Sequence, residues 1–174
     1  LAVGHMGSAT VGRDSLFCFE SRDRGRNWEE SALMARGTKD LPEGFNEASL
    51  VRLKDGRLYT VIRSGNFLFH VWSSDGGKTW TPPEQVRLVD SPILPRMVWP
   101  VCKALDNGTL VMVYGRPGKH IIFDPSGTGA KWQGHLDLHA WELETQALMG
   151  VPEELRLHGP TEQGVRYWDS GDYL

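Results

Sequence analysis

Tryptophans at positions 28, 80 and 132 stand 52 residues apart, and each closes a short polar turn. Ser21-Arg22-Asp23-Arg24-Gly25-Arg26-Asn27-Trp28 and Ser73-Ser74-Asp75-Gly76-Gly77-Lys78-Thr79-Trp80 share the pattern S-x-D-x-G-x-x-W. Residues 124–132 (DPSGTGAKW) are a degenerate third copy, in which the glycine and tryptophan survive while the acidic and hydroxyl residues have shifted. A second landmark keeps the same interval, because Gly56 of Leu53-Lys54-Asp55-Gly56-Arg57-Leu58 and Gly108 of Leu105-Asp106-Asn107-Gly108-Thr109-Leu110 are also 52 residues apart. Two landmarks in register define a repeat. A unit of this length is one supersecondary element that buries its apolar face only by stacking on its neighbours.

The pattern inside each unit is that of strands. Asp-Gly and Asn-Gly between apolar runs signal tight hairpins of the two-residue type, in which both turn residues take positive φ. The runs at 48–53, 58–62, 67–72, 98–105, 110–114 and 119–123 are short, rich in β-branched and aromatic residues, and bounded by Gly, Pro or Asp. Four-stranded units repeated along a chain predict an all-β protein of β-propeller blades. In each S-x-D-x-G-x-x-W turn the Asp is expected to accept backbone N–H groups of its own turn. The Gly supplies positive φ, and the Trp packs beneath with its indole N–H seeking an acceptor. That is a structural job, away from chemistry.

The register weakens after Gln133. Residues 143–164 read as a loop insertion with at most one helical turn, since Pro152 and Pro160 break any longer helix. Residues 165–174 read as the approach to a further blade. Residues 1–174 are thus expected to form a single partial propeller domain, with blade-like units ending near Trp28, Trp80 and Trp132. About three blades cannot close a ring, and exposed sheet edges would remain unless further chain supplied the rest. The opening Leu1-Ala2-Val3-Gly4 reads as the end of a strand, which again predicts a truncated chain.

Charge and composition narrow the partners. Nineteen Lys+Arg against 22 Asp+Glu give a net charge of -3, so no global positive field gathers polyanions, and nucleic acid is not expected. No apolar run approaches the roughly 18 residues of a membrane span. Cys18 and Cys102 do not make a disulfide framework and are expected as buried free thiols. His135, Asp137 and His139 would share one strand face, yet no H-E-x-x-H or cysteine ligand accompanies them, so no metal is expected.

The turns and the segment 45–64 (FNEASLVRLKDGRLYTVIRS) together resemble the sialidase, or BNR-repeat, superfamily of six-bladed propellers. The resemblance covers most of residues 15–132. In that family such turns are called Asp-boxes, and an Asn-Glu pair opens a strand, a D-G-R-L hairpin follows, and an arginine ends the return strand. It therefore implies that Glu47 is the base that deprotonates a tyrosine nucleophile. Arg63 would be one arm of the arginine clamp on the sialic acid carboxylate. Arg116, one residue beyond the repeat equivalent of Arg63, would be another arm, and Tyr173 is the best candidate for the nucleophile, with Tyr167 and Tyr114 as rivals.

The implied reaction is hydrolysis of terminal α-linked sialic acid with retention, on a sialylated glycan, without metal or organic cofactor and in a secreted or periplasmic setting. A neutral phenol suits that substrate, because an anionic nucleophile would approach the sugar's own carboxylate. Arginine suits the clamp because its planar fork takes a carboxylate through two parallel hydrogen bonds. No counterpart of the family's acid/base aspartate or first clamp arginine is found in this chain.

Two alternatives stand beside this one. The chain belongs to a non-catalytic propeller that binds glycan or protein, or to a glycosidase with a carboxylate pair, Glu47 with Asp169 or Asp172. Geometry separates them. Catalysis requires Glu47, Arg63 and Arg116 to converge, with a tyrosine hydroxyl about 3 Å from Glu47. The binding alternative leaves the three splayed outward or paired locally.

Overall fold

The computed structural model describes residues 1–7, 13–41, 43–89, 98–115 and 119–137. Among them are eleven strands, no helix, and three antiparallel sheets formed in chain order. The first sheet holds β1 (Ala2–Gly7), β2 (Asp14–Glu20) and β3 (Glu29–Ala35). The second holds β4 (Asn46–Arg52), β5 (Leu58–Ser64), β6 (Phe67–Ser73) and β7 (Glu84–Gln85). The third holds β8 (Val98–Ala104), β9 (Leu110–Gly115), β10 (Lys119–Asp124) and β11 (Gln133–Asp137). Each sheet is a meander, and β4 packs between β1 and β8, so the opening strands of the three sheets lie side by side. The expected strands are present to within one or two residues. The stretch at Leu1–Gly4 belongs to a strand that runs on to Gly7.

The two hairpins at Asp55-Gly56 and Asn107-Gly108 differ from the expected type. Only the glycines carry positive φ, +90° and +94°. Gly56 N–H donates to the Leu53 carbonyl at 3.0 Å and Leu53 N–H to the Arg57 carbonyl at 2.8 Å, and Leu105, Gly108 and Thr109 repeat the pattern. These are three-residue loops, a tight turn followed by a left-handed glycine. The side chains explain the choice: Asp55 Oδ1 accepts the Arg57 N–H at 3.0 Å and Asn107 Oδ1 the Thr109 N–H at 2.9 Å, which holds both acidic or amide residues in ordinary right-handed backbone.

The S-x-D-x-G-x-x-W turns are built as expected at their centres. Asp23 Oδ1 accepts the Arg26 and Asn27 N–H groups at 2.9 and 2.8 Å, and Asp75 Oδ1 those of Lys78 and Thr79 at 3.0 and 2.9 Å. Trp28 and Trp80 each donate their indole N–H to the carbonyl of their own turn glycine at 3.1 Å. In the degenerate copy Asp124, at the end of β10, takes over the carboxylate's work and receives Ser126 and Gly129 N–H at 2.9 and 2.7 Å. Burial pushes the Asp124 carboxyl upward, but hydrogen bonds from Ser126, Lys131 and Gly129 together hold it below the ordinary carboxylate value. The tryptophans stand just before the last strand of their sheets and are not equally covered. Trp28 is 47% exposed, whereas Trp132 is fully buried, because the second and third copies close on the preceding sheet and the first has no preceding sheet among the described residues.

Two cores result. Leu16, Cys18, Met34, Phe45, Ile62 and Val71 fill the space between the first and second sheets. Tyr59, Val61, Leu68, Met112, Ile122 and Trp132 belong to the second core, between the second and third. Strand β5 serves both, which is why it is buried almost throughout instead of on alternate residues. Cys18 and Cys102 are buried free thiols, as expected, and burial pushes the Cys102 thiol up to about 12.

The second core contains a polar chain. Trp132 indole N–H donates to Tyr59 Oη at 3.1 Å, and Tyr59 Oη lies 3.2 Å from His70 Nδ1. Since an indole only donates, His70 Nδ1 is the acceptor left for the Tyr59 proton among the described residues, and His70 is held neutral there. Burial lowers the His70 value from 6.5 to about 4, with a hydrogen bond to the Gly129 backbone pulling weakly the other way.

The unfolded chain therefore binds a proton in a window where the folded chain does not. Stability at His70 is intact above pH 6.5 and is lost as pH falls towards 4, by an amount approaching about 3 kcal/mol. Urea denaturation between pH 7 and 4 is expected to show this slope, and His70→Phe to flatten it. An equal slope in the variant would remove His70 as the cause.

Candidate functional site

Glu47 and Arg63 face each other across the first hairpin of the second sheet. Their register places Asn46 opposite Arg63 and Ala48 opposite Ile62, so Glu47 is the extra residue of a β-bulge at the start of β4. Its φ is +30°, a left-handed conformation that costs a residue with a side chain on the order of 1–3 kcal/mol. The bulge releases Glu47 from the ladder and turns its carboxylate towards Arg63, whose Nη1 donates to Oε1 at 2.9 Å. Both side chains are largely buried, 17% and 15% exposed.

Two contacts complete the cluster, and neither was foreseen in the sequence. Glu43 Oε2 lies 2.9 Å from Arg63 Nη2 and forms an ion pair with it. The segment carrying Glu43 is fixed to the first sheet, since Asp14 N–H donates to the Glu43 carbonyl at 3.2 Å and Phe45 N–H to the Asp14 carbonyl at 2.8 Å. On the other side the Trp99 main-chain N–H donates to Glu47 Oε2 at 2.7 Å. Trp99 sits in β8, itself bulged between Val98 and Val101, and has φ +54°. It is 52 residues beyond Glu47, so the two are equivalent positions of the repeat. That spacing was the available signal for Trp99; for Glu43 the signal was a second carboxylate four residues before the first. The second and third sheets meet at the Glu47–Arg63 pair, and the first anchors the segment that carries Glu43.

Arg63 has five N–H donors. Nε donates to the Gly65 carbonyl at 2.8 Å, an Nη1 donor goes to Glu47, and Nη2 is ion-paired with Glu43. Nη donors then remain without a described hydrogen-bond partner, and a carboxylate is the natural acceptor for them. Asn46, between Glu43 and Glu47, is 9% exposed and its Oδ1 has no hydrogen-bond partner among the described residues.

Of the three residues expected to converge, Glu47 and Arg63 are described. Glu47 and Arg63 come together, paired with one another, and Arg63 also pairs with Glu43. Arg116 and Tyr173 lie outside the described residues, as do Tyr167, Asp169, Asp172 and His139. Among the described tyrosines, Tyr114 is 1% exposed within the second core, where burial pushes its phenol well above the ordinary value. No group of three or more His, Cys, Asp or Glu side chains among the described residues is arranged to hold a metal ion.

Sheets that follow one another along the chain, fastened by S-x-D-x-G-x-x-W turns and joined at their first strands, define a class of tandem β-repeat protein. The sequence model of the BNR repeat-like domain matches residues 2–146, and the chain belongs to that family. No curated protein sequence matches it.

Among solved structures, a Dyadobacter fermentans protein of unknown function is similar with a TM-score of 0.57 and 20% identity, over 74% of this chain and 39% of that one. The NanB sialidase of Streptococcus pneumoniae, as its K499G mutant, is similar at 0.51 and 17%, over 77% of this chain and 23% of that one. The leech intramolecular trans-sialidase, solved with 2,7-anhydro-Neu5Ac, is similar at 0.51 and 18%, over 73% and 19%. The fold is therefore sialidase-like, and the chain spans well under half the length of each of these proteins.

Proposed function

We propose that this chain forms about half of a six-bladed propeller of exo-α-sialidase type, and that Glu47 and Arg63 belong to the site that hydrolyses terminal α-linked sialic acid. The observation that carries the proposal is the Glu47–Arg63 pair, held by the loop residue Glu43 and by a main-chain N–H of the third sheet, with Nη donors of Arg63 left over. A substrate carboxylate would take those donors. Each Glu47 oxygen has further lone pairs, so the carboxylate can also receive a phenolic proton.

Tyr173 is the proposed nucleophile and Arg116 the second arm of the clamp. In the first step the phenol oxygen bonds to the anomeric carbon as the glycosidic C–O bond breaks, and the phenolic proton passes to Glu47. The leaving oxygen takes a proton from an acid outside this chain. Water then attacks the anomeric carbon and gives a proton to the conjugate base of that acid, the tyrosyl bond breaks, and Glu47 returns its proton to the phenolate. Arg63 fixes the sugar's charge beside the positive charge that develops on the ring.

The pairing of Arg63 with two glutamates also favours a second proposal, a non-catalytic propeller in which the same cluster binds glycan or protein and the ion pairs are structural. Turnover of a fluorogenic sialoside by the intact protein separates the two. Activity that disappears in Glu47→Ala and Arg63→Ala supports the hydrolase; unchanged activity in both variants rejects the assignment. Binding of sialylated glycan without turnover supports the second proposal.

A further inference from the structure

Trp99 combines three features that seldom occur together. It is a large aromatic side chain left 54% exposed. Its backbone holds φ +54°, a conformation that favours glycine and strains any residue with a Cβ. Its N–H is bonded to Glu47 Oε2 at 2.7 Å, which fixes its Cα beside the carboxylate. The described residues leave more than half of the indole uncovered, and a residue chosen for the bulge alone would be glycine. Among the described residues no aromatic ring or hydrogen-bonding group engages the indole.

The repeat makes the contrast sharper. Both equivalent positions, Glu47 and Trp99, are bulged and left-handed, so the fold offers the same strained seat in neighbouring sheets. One seat holds the carboxylate and the other an indole. Strain that recurs at two such seats, joined by one hydrogen bond, belongs to the site they build.

We infer that Trp99 is a ligand-contacting residue of the Glu47–Arg63 site, presenting its indole to the C–H face of a sugar ring while its main chain positions Glu47. This rests on the proposed glycan-binding function, but requires only that the ligand have a saturated ring with an apolar face. An indole suits such a face because it offers broad, rigid contact area at little cost in side-chain freedom, and the polarised C–H groups of a sugar meet the electron-rich ring. The carboxylate of an acidic sugar would go to Arg63, and Trp99 would supply a contact that charge cannot.

Trp99→Gly is the informative variant, because glycine relieves the left-handed strain and leaves the N–H to Glu47 in place. Titration calorimetry on the intact protein would use the 2,3-didehydro analogue of sialic acid and, separately, methyl β-galactoside. Thermal melting would be measured alongside. The expected result is a Kd raised about three- to tenfold in Trp99→Gly, largely restored in Trp99→Phe, with a melting temperature equal to or above that of the parent.

Unchanged affinity in Trp99→Gly overturns the inference while leaving the hydrolase proposal standing. A large drop in melting temperature also overturns it, since the indole would then be a packing residue. Binding of the galactoside alone, weakened in Trp99→Gly, supports the inference and rejects sialic acid as the ligand. Failure of the parent protein to bind either probe overturns both.

Discussion

Arg63→Ala is expected to lower turnover of a fluorogenic sialoside by at least about a hundredfold, the usual scale for losing a group that stabilises transition-state charge. The same substitution is expected to lower folding stability by about 2–3 kcal/mol, below the range for a fully buried pair, because Glu43 is half exposed and screened by water. The stability loss follows from geometry. Removing the guanidinium leaves the Glu47 carboxylate, 17% exposed, with only the Trp99 N–H as a described partner, and leaves the Gly65 carbonyl without the Nε donor. Glu47→Gln is the milder change, since an amide keeps an acceptor for Trp99 and Arg63 keeps Glu43.

In the double variant the unpaired carboxylate is gone. The two single losses are then expected to exceed the double loss by about 1–3 kcal/mol, which urea denaturation of all four proteins measures. Arg63→Lys distinguishes charge from fork. An ammonium retains the charge but cannot serve Gly65, Glu43 and Glu47 along three fixed directions, so stability should recover further than turnover. Equal turnover in the lysine variant and the parent would mean that no bidentate carboxylate is bound there.

How much of this was legible in the sequence depends on the range of the interaction. The 52-residue interval and the Asp-Gly and Asn-Gly hairpins are local features, and they located β4, β5, β6, β8, β9 and β10 closely. Strand β7 has only two residues, and β2 and β3 flank the turn at Trp28 without a hairpin dipeptide, so neither gave a strong local signal. The shift of the acidic residue to Asp124 was legible in the degenerate third copy, whereas the N–H groups it receives, from Ser126 and Gly129, were not, because the linear pattern assigns the carboxylate a different position in the turn. Glu47 and Arg63 were found through the pattern of one hairpin. Glu43 and Trp99 were missed because each joins the cluster through a neighbouring sheet, by way of the Asp14 backbone on one side and a bulge in β8 on the other. Contacts between sheets carry no period in the sequence.

The largest stability loss is expected from Gly129→Ala. A Cβ at this position would stand 2.3 Å from Tyr59 Cε2 and 2.5 Å from Cδ2, well inside van der Waals contact. Tyr59 cannot yield, because its ring is fully buried beside Trp72 and Trp132 and its hydroxyl is tied to Trp132 and His70. Nor can the loop back away, since Gly129 N–H is bonded to Asp124 Oδ2 at 2.7 Å and the neighbouring Thr128 carbonyl accepts the Trp72 indole N–H at 2.7 Å. The backbone adds its own penalty at φ +81°. Overpacking and left-handed strain together predict a loss of about 3–5 kcal/mol and a melting temperature lower by roughly 10 °C or more.

Gly56→Ala is the control, with φ +90° and nothing within 4 Å of the added Cβ, so it should cost only the conformational share, about 1–2 kcal/mol. The difference between the two variants isolates the collision with Tyr59. Pairing Gly129→Ala with Tyr59→Leu, which clears the space, should make the second substitution much less costly than it is alone. Equal losses in Gly129→Ala and Gly56→Ala would mean that the junction of the second and third sheets is loose enough to open, and that the aromatic chain from Trp132 to His70 does not hold it.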